Sequence, residues 1–323
     1  MTFSTPILFL TWKRLEVTKK VFQSIKKIKP KKLYISSDGA RIDKNEEDKV
    51  LETRKYLLNN VDWDCEIKTL FHEDNNGCRK AVSTAITWFF ENEEEGIILE
   101  DDCLPCFEFF YFCQELLVKY RFDNRIWCIS GTNYQNNITR GDGSYYFSRY
   151  NHYWGWASWR RSWIKYDDNL DSWPSLKESN YIKNIFDNKR QIIYWQTIWD
   201  KLYYDNYPDS WAYRWTYSCM INSGLTLLPN KNLIKNIGFG EEATHTKIRR
   251  KNYNPIFDKN LKDYFKIIKH PKFVLRDKEA DKYTEENYLS GPNIFSILFI
   301  RRFLNVIFLK PQKFFSLIRR YTA

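Results

Sequence analysis

The chain is predicted to be α/β, with a mainly parallel central sheet flanked by helices. Short apolar runs of strand length alternate with segments of helical period, joined by short connections. Polar and acidic groups stand where those apolar runs stop, at the strand ends where such sheets bind ligands. Apolar residues are 43% and charged residues 28% of the 323, a globular balance that excludes wholesale disorder.

Each element follows from its pattern. Pro6 to Thr11 reads as a short buried strand. Glu16 to Ile28 carries Val17, Val21, Phe22, Ile25 and Ile28 at helical spacing. Leu33 to Ser37 is a second strand, stopped by Asp38-Gly39. Asp48 to Leu58 is helical, and Cys65 to Phe71 alternates as a third strand. Arg79 to Glu91 is a helix with Val82, Ile86, Phe89 and Phe90 on one face. Gly96 to Leu99 is a fourth strand, running into Glu100-Asp101-Asp102. Phe107 to Tyr120 is helical, and Trp127 to Ser130 is a fifth strand closed by Gly131. Residues 132–245 are less regular and hold most of the Trp, with a helix expected from Ile192 to Tyr204.

This order divides the chain into an α/β domain over 1–250, regular over 1–131 and irregular over 132–250, a polar linker or extension over 251–289, and a helical, basic, amphipathic tail over 290–323. The tail carries six basic residues and no acidic one, against a net charge of +11 for the whole chain. It reads either as an anchor on an anionic membrane surface or as a helix docked on the protein or a partner. No apolar run reaches the ~18 residues of a membrane span. The first residues show no signal-peptide pattern, so a cytoplasmic protein, peripheral at the inner face of the plasma membrane, is expected. The seven Cys are odd in number, and Cys103-Leu104-Pro105-Cys106 lacks a second pair, so they read as buried thiols rather than a zinc site.

Aromatics are 18%, with 13 Trp. Most belong in a core, and some can line a site for ring-shaped ligands. Glu100-Asp101-Asp102 is the most informative feature. Three adjacent carboxylates at a strand end repel one another unless a cation sits among them, and a hard divalent ion with oxygen ligands answers that need. Asn75-Asn76-Gly77-Cys78-Arg79 is a turn into a helix, either an anion-receiving helix start or an ordinary one. Asp209, after Pro208, reads as the cap of a helix beginning near Trp211.

Read in order, these segments resemble GT-A glycosyltransferases, a Rossmann-like fold. They are especially similar to the N-acetylglucosaminyltransferase I type and to bacterial HlpA-like glycosyltransferases. Pro6-Ile7-Leu8, Ile35 to Gly39, Glu100-Asp101-Asp102 followed by Phe107, Phe109, Phe110 and Phe112, Trp127 to Asn133, and Pro229 to Gly240 with Ala243-Thr244-His245 carry the resemblance. It implies a catalytic domain over 1–250, with a nucleotide-binding half over 1–131 and an acceptor half over 132–250, and a nucleotide-sugar donor held with Mn²⁺ or Mg²⁺. Asp102 would ligate the metal, and a late His, here His245, would complete its shell. Glu100 and Asp101 would face the donor sugar and ribose. Asp38 and Gly39 would meet the nucleobase edge, Thr11 to Arg14 would line the nucleoside pocket, and Arg41 and Arg79 would contact phosphate or base. Trp154 and Trp156 would stack on sugar, the alternative being core packing. The base that deprotonates the acceptor hydroxyl would be Asp209, with Asp200 as its rival. The acceptor would be a glycan or a lipid-linked glycan in bacterial surface-polysaccharide synthesis.

A nucleic-acid-binding protein is the first alternative, from a pI near 9.1. Over half the excess charge lies in the tail and no nucleic-acid-binding signature appears, so no nucleic-acid partner is expected. A sugar nucleotidyltransferase would need a Gly-rich loop after the first strand, and Leu10 to Glu16 contains no Gly. A glycoside hydrolase is disfavoured because three consecutive carboxylates alternate in direction. A catalytically silent sugar-binding protein remains an alternative.

Overall fold

A computed structural model of the chain describes residues 2–239 and 268–289. Its elements follow the predicted alternation closely. Strand β1 is Ile7–Thr11, helix α1 Leu15–Ile28, β2 Lys32–Ser37, α2 Glu47–Asn60, β3 Glu66–Phe71, α3 Gly77–Asn92 and β4 Glu95–Glu100. Then come β5 Cys103–Pro105, α4 Phe107–Lys119, β6 Ile126–Ser130, β7 Tyr145–Ser148, β8 Trp156–Trp159 and the short α5 Arg160–Trp163. Helices α6 Trp173–Glu178, α7 Ile182–Ile185, α8 Lys189–Tyr204 and α9 Trp211–Ile221 follow. Strands β9 Leu225–Pro229 and β10 Ile234–Asn236 and helix α10 Lys278–Asn287 complete the described elements.

Eight strands form one sheet in the order β3-β2-β1-β4-β8-β6-β9-β7. The pairs β1–β2, β1–β4, β2–β3 and β6–β9 are parallel. Strands β8 and β7 run antiparallel to their neighbours. The predicted mainly parallel α/β architecture is therefore present, with two reversed strands in the half that the sequence left irregular. Trp156-Ala157-Ser158-Trp159 is one of them, inserted between β4 and β6. Ala157 pairs with Ile97 on one side and Ile129 on the other, a partnership no local pattern announces.

Strands β1, β4 and β6 are covered on both faces, which is why their sequences are mainly apolar runs, whereas β3 at the sheet edge is largely exposed and alternates. In β1, Ile7 and Phe9 join one core layer with Val21, Phe22 and Ile25 of α1 and Phe109 and Phe110 of α4. Leu8 and Leu10 point the other way, into a layer with Ile86 and Phe89 of α3 and Trp156, Trp163, Trp211 and Trp215. A third cluster, built on Trp173, Trp195, Trp199 and Tyr217, holds α6 to α9 together. Nine of the 13 Trp are buried in these layers, so the Trp excess is mainly core material.

Residues 268–289 are part of this body and not a linker. Arg276 bridges to Phe147 of β7, and Asp281 and Glu285 of α10 are buried. Asp281 accepts from Ser148 Oγ and Arg276 Nε, and Glu285 from the Tyr150 hydroxyl at 2.7 Å. The polar composition that suggests solvent exposure is instead satisfied internally. Residues 290–323, with the basic tail, lie outside the described residues. All seven cysteines carry free thiols, and Cys103, Cys113, Cys128 and Cys219 are buried. Among the described residues no helix is long and apolar enough to cross a membrane.

Candidate active site

The chain lays β2 and β3 on one side of β1 and then places β4 on the other. That reversal opens a crevice beyond the carboxyl ends of β1 and β4. Leu10 of β1 pairs in register with Glu100 of β4 and Ser36 of β2, so three strand ends finish at one level. A cavity of about 500 Å³ opens there, within the size range of small-molecule sites. Thr11, Arg14, Asp38, Arg41, Glu100, Asp101 and Asp209 all line it. Residues as far apart as 11 and 209 therefore share one cleft.

The acidic triplet follows directly from β4, whose Gly96–Leu99 run is buried and delivers Glu100 to the cavity. Arg14, from the β1–α1 loop, supplies the nearest positive charge. Its Nε donates to Asp101 Oδ2 at 3.1 Å, and its Nη2 donates to Asp101 Oδ1 and to Asp102 Oδ2, the latter at 3.1 Å. Burial works against the Arg14 charge, but Asp101 and then Asp102 more than offset it and hold the guanidinium protonated. One cation does not balance three carboxylates. Burial, then repulsion from Asp102 and Asp101, pushes the Glu100 carboxyl up to about 8. Burial likewise raises Asp101 to about 6, with Arg14 opposing.

Asp102 is held from the other side by the β9–β10 segment and the residues after it. Its carbonyl accepts from Ile237 N at 2.9 Å, and its Oδ1 accepts from Cys103 Sγ at 3.4 Å and Asn236 Nδ2 at 3.5 Å. A Cβ on Gly238 would fall 2.1 Å from Asp102 Oδ2, so only glycine admits this approach. Asn236, Ile237 and Gly238 thus pack against Asp102. Among the described residues, no three His, Cys, Asp or Glu side chains converge as a protein-only metal cage. The donor set nevertheless fits a hard cation. It offers carboxylate oxygens with surplus negative charge, and Mg²⁺ and Mn²⁺ commonly take one or two carboxylates beside substrate phosphates and water.

Asp38 has a different task from the one expected. Its Oδ1 accepts from Gly39 N at 3.0 Å and Asn76 N at 2.9 Å. Its Oδ2 accepts from Asn75 Nδ2 at 2.9 Å and Gly77 N at 3.2 Å. A carboxylate has about four acceptor positions, and all are taken within the protein. Asp38 thus ties the end of β2 to the start of α3 and keeps no lone pair for a nucleobase edge. Burial raises its pKa while these N–H groups pull the other way. Gly39 is part of the same knot, its carbonyl accepting from Trp12 Nε1 and Asn75 Nδ2.

Beside this knot lies a cationic wall. Arg41 and Lys13 both pair with Glu46, and the guanidinium of Arg41 and the ammonium of Lys13 lie 4.8 and 4.4 Å from the Trp12 ring centre. The hydrogen bonds from Arg41, more than burial opposes them, bring the Glu46 carboxyl down to about 2. Glu46 was not expected from the sequence, where it sits in a charged run that reads as solvated. Asn75 and Cys78, which line the cavity at the start of α3, were likewise not singled out as binding residues. Burial, followed by the charges of Glu100 and Asp209, raises the Cys78 thiol well above its ordinary range.

The start of α3 is occupied by the protein's own carboxylates. Asp38 takes two N–H groups, and Asp209 Oδ2 accepts weakly from Arg79 N at 3.4 Å. The Arg79 side chain turns away from the cavity lining toward Asp168, Asn206 and Asp209, at 3.6, 3.5 and 4.0 Å. Asp209 does not cap α9: Ser210 holds that position, with no side-chain capping bond. Asp200 is on α8, accepts from Lys177 Nζ at 2.7 Å and Trp173 Nε1 at 3.1 Å, and is absent from the cavity lining. Trp156 is 1% exposed and stacked on Trp211 at 5.6 Å, so it offers no face to a sugar. β8 lies inside the sheet with all four of its residues buried, which places this ring in the core. Trp154 is half-buried, edge-on to Tyr134 and Phe239. His245 lies outside the described residues.

No family model matches the chain, and no curated protein matches it. Among solved structures it is similar to 4-diphosphocytidyl-2C-methyl-D-erythritol synthase from Anaerococcus prevotii. The TM-score is 0.32 and the identity 10%, over 55% of this chain and 84% of that one. It is also similar to HddC from Yersinia pseudotuberculosis, at a TM-score of 0.29 and 7% identity, over 49% of this chain and 77% of that one.

Proposed function

We propose that the chain is a nucleotide-binding transferase, and specifically an inverting glycosyltransferase that moves a sugar from a nucleotide-sugar donor to a glycan or lipid-linked acceptor. One observation carries this reading. Glu100 and Asp101 of the acidic triplet and the basic β1–α1 loop line the same cavity at the point where strand order reverses, with Asp102 next in the chain and bonded to Arg14 of that loop. A nucleoside diphosphate needs both: cations for its phosphates and carboxylates for ribose, sugar and metal. The resemblance of the ordered motifs to GT-A glycosyltransferases supports the sugar-transfer assignment.

In this reading Lys13, Arg14 and Arg41 receive the diphosphate, and the Trp12 ring flanks the nucleoside. Glu100, protonated in part near neutrality, donates as well as accepts toward sugar or ribose hydroxyls. Asp102 would hold Mn²⁺ or Mg²⁺, which when bound supplies charge stabilisation to the departing diphosphate. Asp209 takes the proton of the acceptor hydroxyl as its oxygen bonds to the anomeric carbon. The bond from that carbon to the diphosphate oxygen breaks, and the diphosphate leaves with the electron pair.

The test is a thermal-shift and calorimetric screen of UDP-, GDP-, CDP- and dTDP-sugars with and without Mn²⁺. A ligand at 100 times its Kd stabilises by about 2.7 kcal/mol. Binding of a nucleotide sugar and release of its nucleoside diphosphate are expected. Release of pyrophosphate from a nucleoside triphosphate and a sugar phosphate would establish nucleotidyl transfer in its place. The basic tail is proposed to bring the chain to anionic lipid, where a lipid-linked acceptor resides. The full chain should then pellet with anionic vesicles at low salt, and a chain lacking residues 290–323 should not.

A further inference from the structure

Three consecutive carboxylates follow from the end of β4, and among the described residues a single cation lies within ion-pair distance of any of them. Lys13 and Arg41 are held by Glu46, and Arg79 faces Asp168 and Asp209. Arg14 alone reaches the triplet, forked on Asp101 and extended to Asp102 Oδ2 at 3.1 Å. The arrangement is dry. The side chains of Arg14, Asp101 and Asp102 are 15%, 7% and 13% exposed, so little solvent screens the pairing. Its Nε and Nη2 are spent on the carboxylates, whereas no described residue accepts from Nη1. Arg14 also lines the cavity, where a ligand oxygen can take those two remaining donors.

We propose that Arg14 is the resident counter-ion of this triplet and competes with a divalent cation for Asp102. The carboxylate that would ligate the metal is the one Arg14 holds through a single shared nitrogen, while the paired contacts to Asp101 anchor it. An arriving diphosphate changes the balance. It offers the guanidinium new acceptors and the cation new oxygen ligands, so Arg14 can yield Asp102 without losing its pairing to Asp101. Metal alone is therefore held weakly, and metal with diphosphate tightly. Arg14 is thus a positioning residue that couples the two ligands. This inference rests on the reading of Asp102 as a metal ligand, and it needs no turnover to be tested.

The experiment titrates Mn²⁺ alone, without nucleotide, into the full chain and follows free Mn²⁺ by electron paramagnetic resonance. Arg14→Gln removes the competing charge and should tighten Mn²⁺ binding by about tenfold or more. Adding Asp102→Asn to that variant should abolish the gain. Arg14→Lys keeps the charge without the fork and should fall between wild type and Arg14→Gln; it also serves if Arg14→Gln does not fold, which circular dichroism decides. Mn²⁺ affinity in the folded Arg14 variants equal to or weaker than wild type, or a gain that survives Asp102→Asn, would overturn the proposal. If Mn²⁺ tightens as expected while no nucleotide sugar binds any form, the donor reading fails and the role of Arg14 stands.

Discussion

Asp209 and Arg79 are 130 residues apart, yet the carboxylate of the first receives the backbone N–H of the second at the start of α3. The contact closes one wall of the cavity. Gly77, with φ +77°, lies beneath it, and a Cβ there would come within 2.9 Å of Asp209 Oδ2. A residue expected to cap its own helix is instead, among the described residues, the only one from the second half of the chain to line the cavity.

Asp209→Asn keeps the size of the side chain and removes its basicity. If Asp209 is the base, kcat for sugar transfer should fall by about 10²–10⁴-fold, with donor Kd nearly unchanged by calorimetry. Asp200→Asn should leave kcat close to wild type, because Asp200 serves Lys177 and Trp173 outside the cavity. The opposite pattern would move the role to Asp200.

Asp38→Asn should act on folding more than on donor binding. The change loses the charge and turns an NH₂ group toward existing donors, at a cost of about 1–3 kcal/mol. Chemical denaturation reads the loss directly. A tenfold weaker donor Kd with unaltered stability would return Asp38 to the nucleobase. Arg41→Ala should weaken the donor Kd about tenfold, since Arg41 lines the cavity, and should also lower stability, since it pairs with Glu46.

The Glu46 carboxyl is held at about 2 in the folded chain against an ordinary value of 4.5. Its folded pKa is depressed, so its contribution is fully present above pH 4.5 and is lost as pH falls toward 2. The stability difference between wild type and Glu46→Gln should be constant at pH 6–8 and shrink on acidification. A difference that grows on acidification would contradict the pairing with Arg41 and Lys13.

Trp156→Ala should cost about 3–5 kcal/mol, as large aromatic deletions in a core do. Trp154→Ala should cost less, because Trp154 is only half-buried. Urea unfolding of the two variants distinguishes them. Equal and small losses would mean that the Trp156 ring is not core.

The first 131 residues were legible because each of their elements carries its own signature. Continuous apolar runs mark strands buried on both faces, and Val21, Phe22 and Ile25 mark the inward face of α1 by spacing alone. The polar stops Thr11 to Arg14, Asp38 and Glu100 to Asp102 could be placed at strand ends for the same reason, and most of the cavity lining follows from that placement. What the tertiary structure alone decided is which group meets which. Asp38 looks like a ligand contact until Gly39, Asn75, Asn76 and Gly77 use up its acceptors, and hydrogen-bond saturation cannot be read along one strand. Glu46 carries no sign of its role until Lys13, from the β1–α1 loop, joins Arg41 of its own loop in pairing with it. Trp154 and Trp156 look equivalent, but β8 begins only at Trp156, after Gly155 at φ +61°, and its insertion between β4 and β6 buries Trp156 while Trp154 stays outside the strand. The cation that the acidic triplet requires was foreseen; that Arg14 already stands there depends on a loop 87 residues away being folded against it.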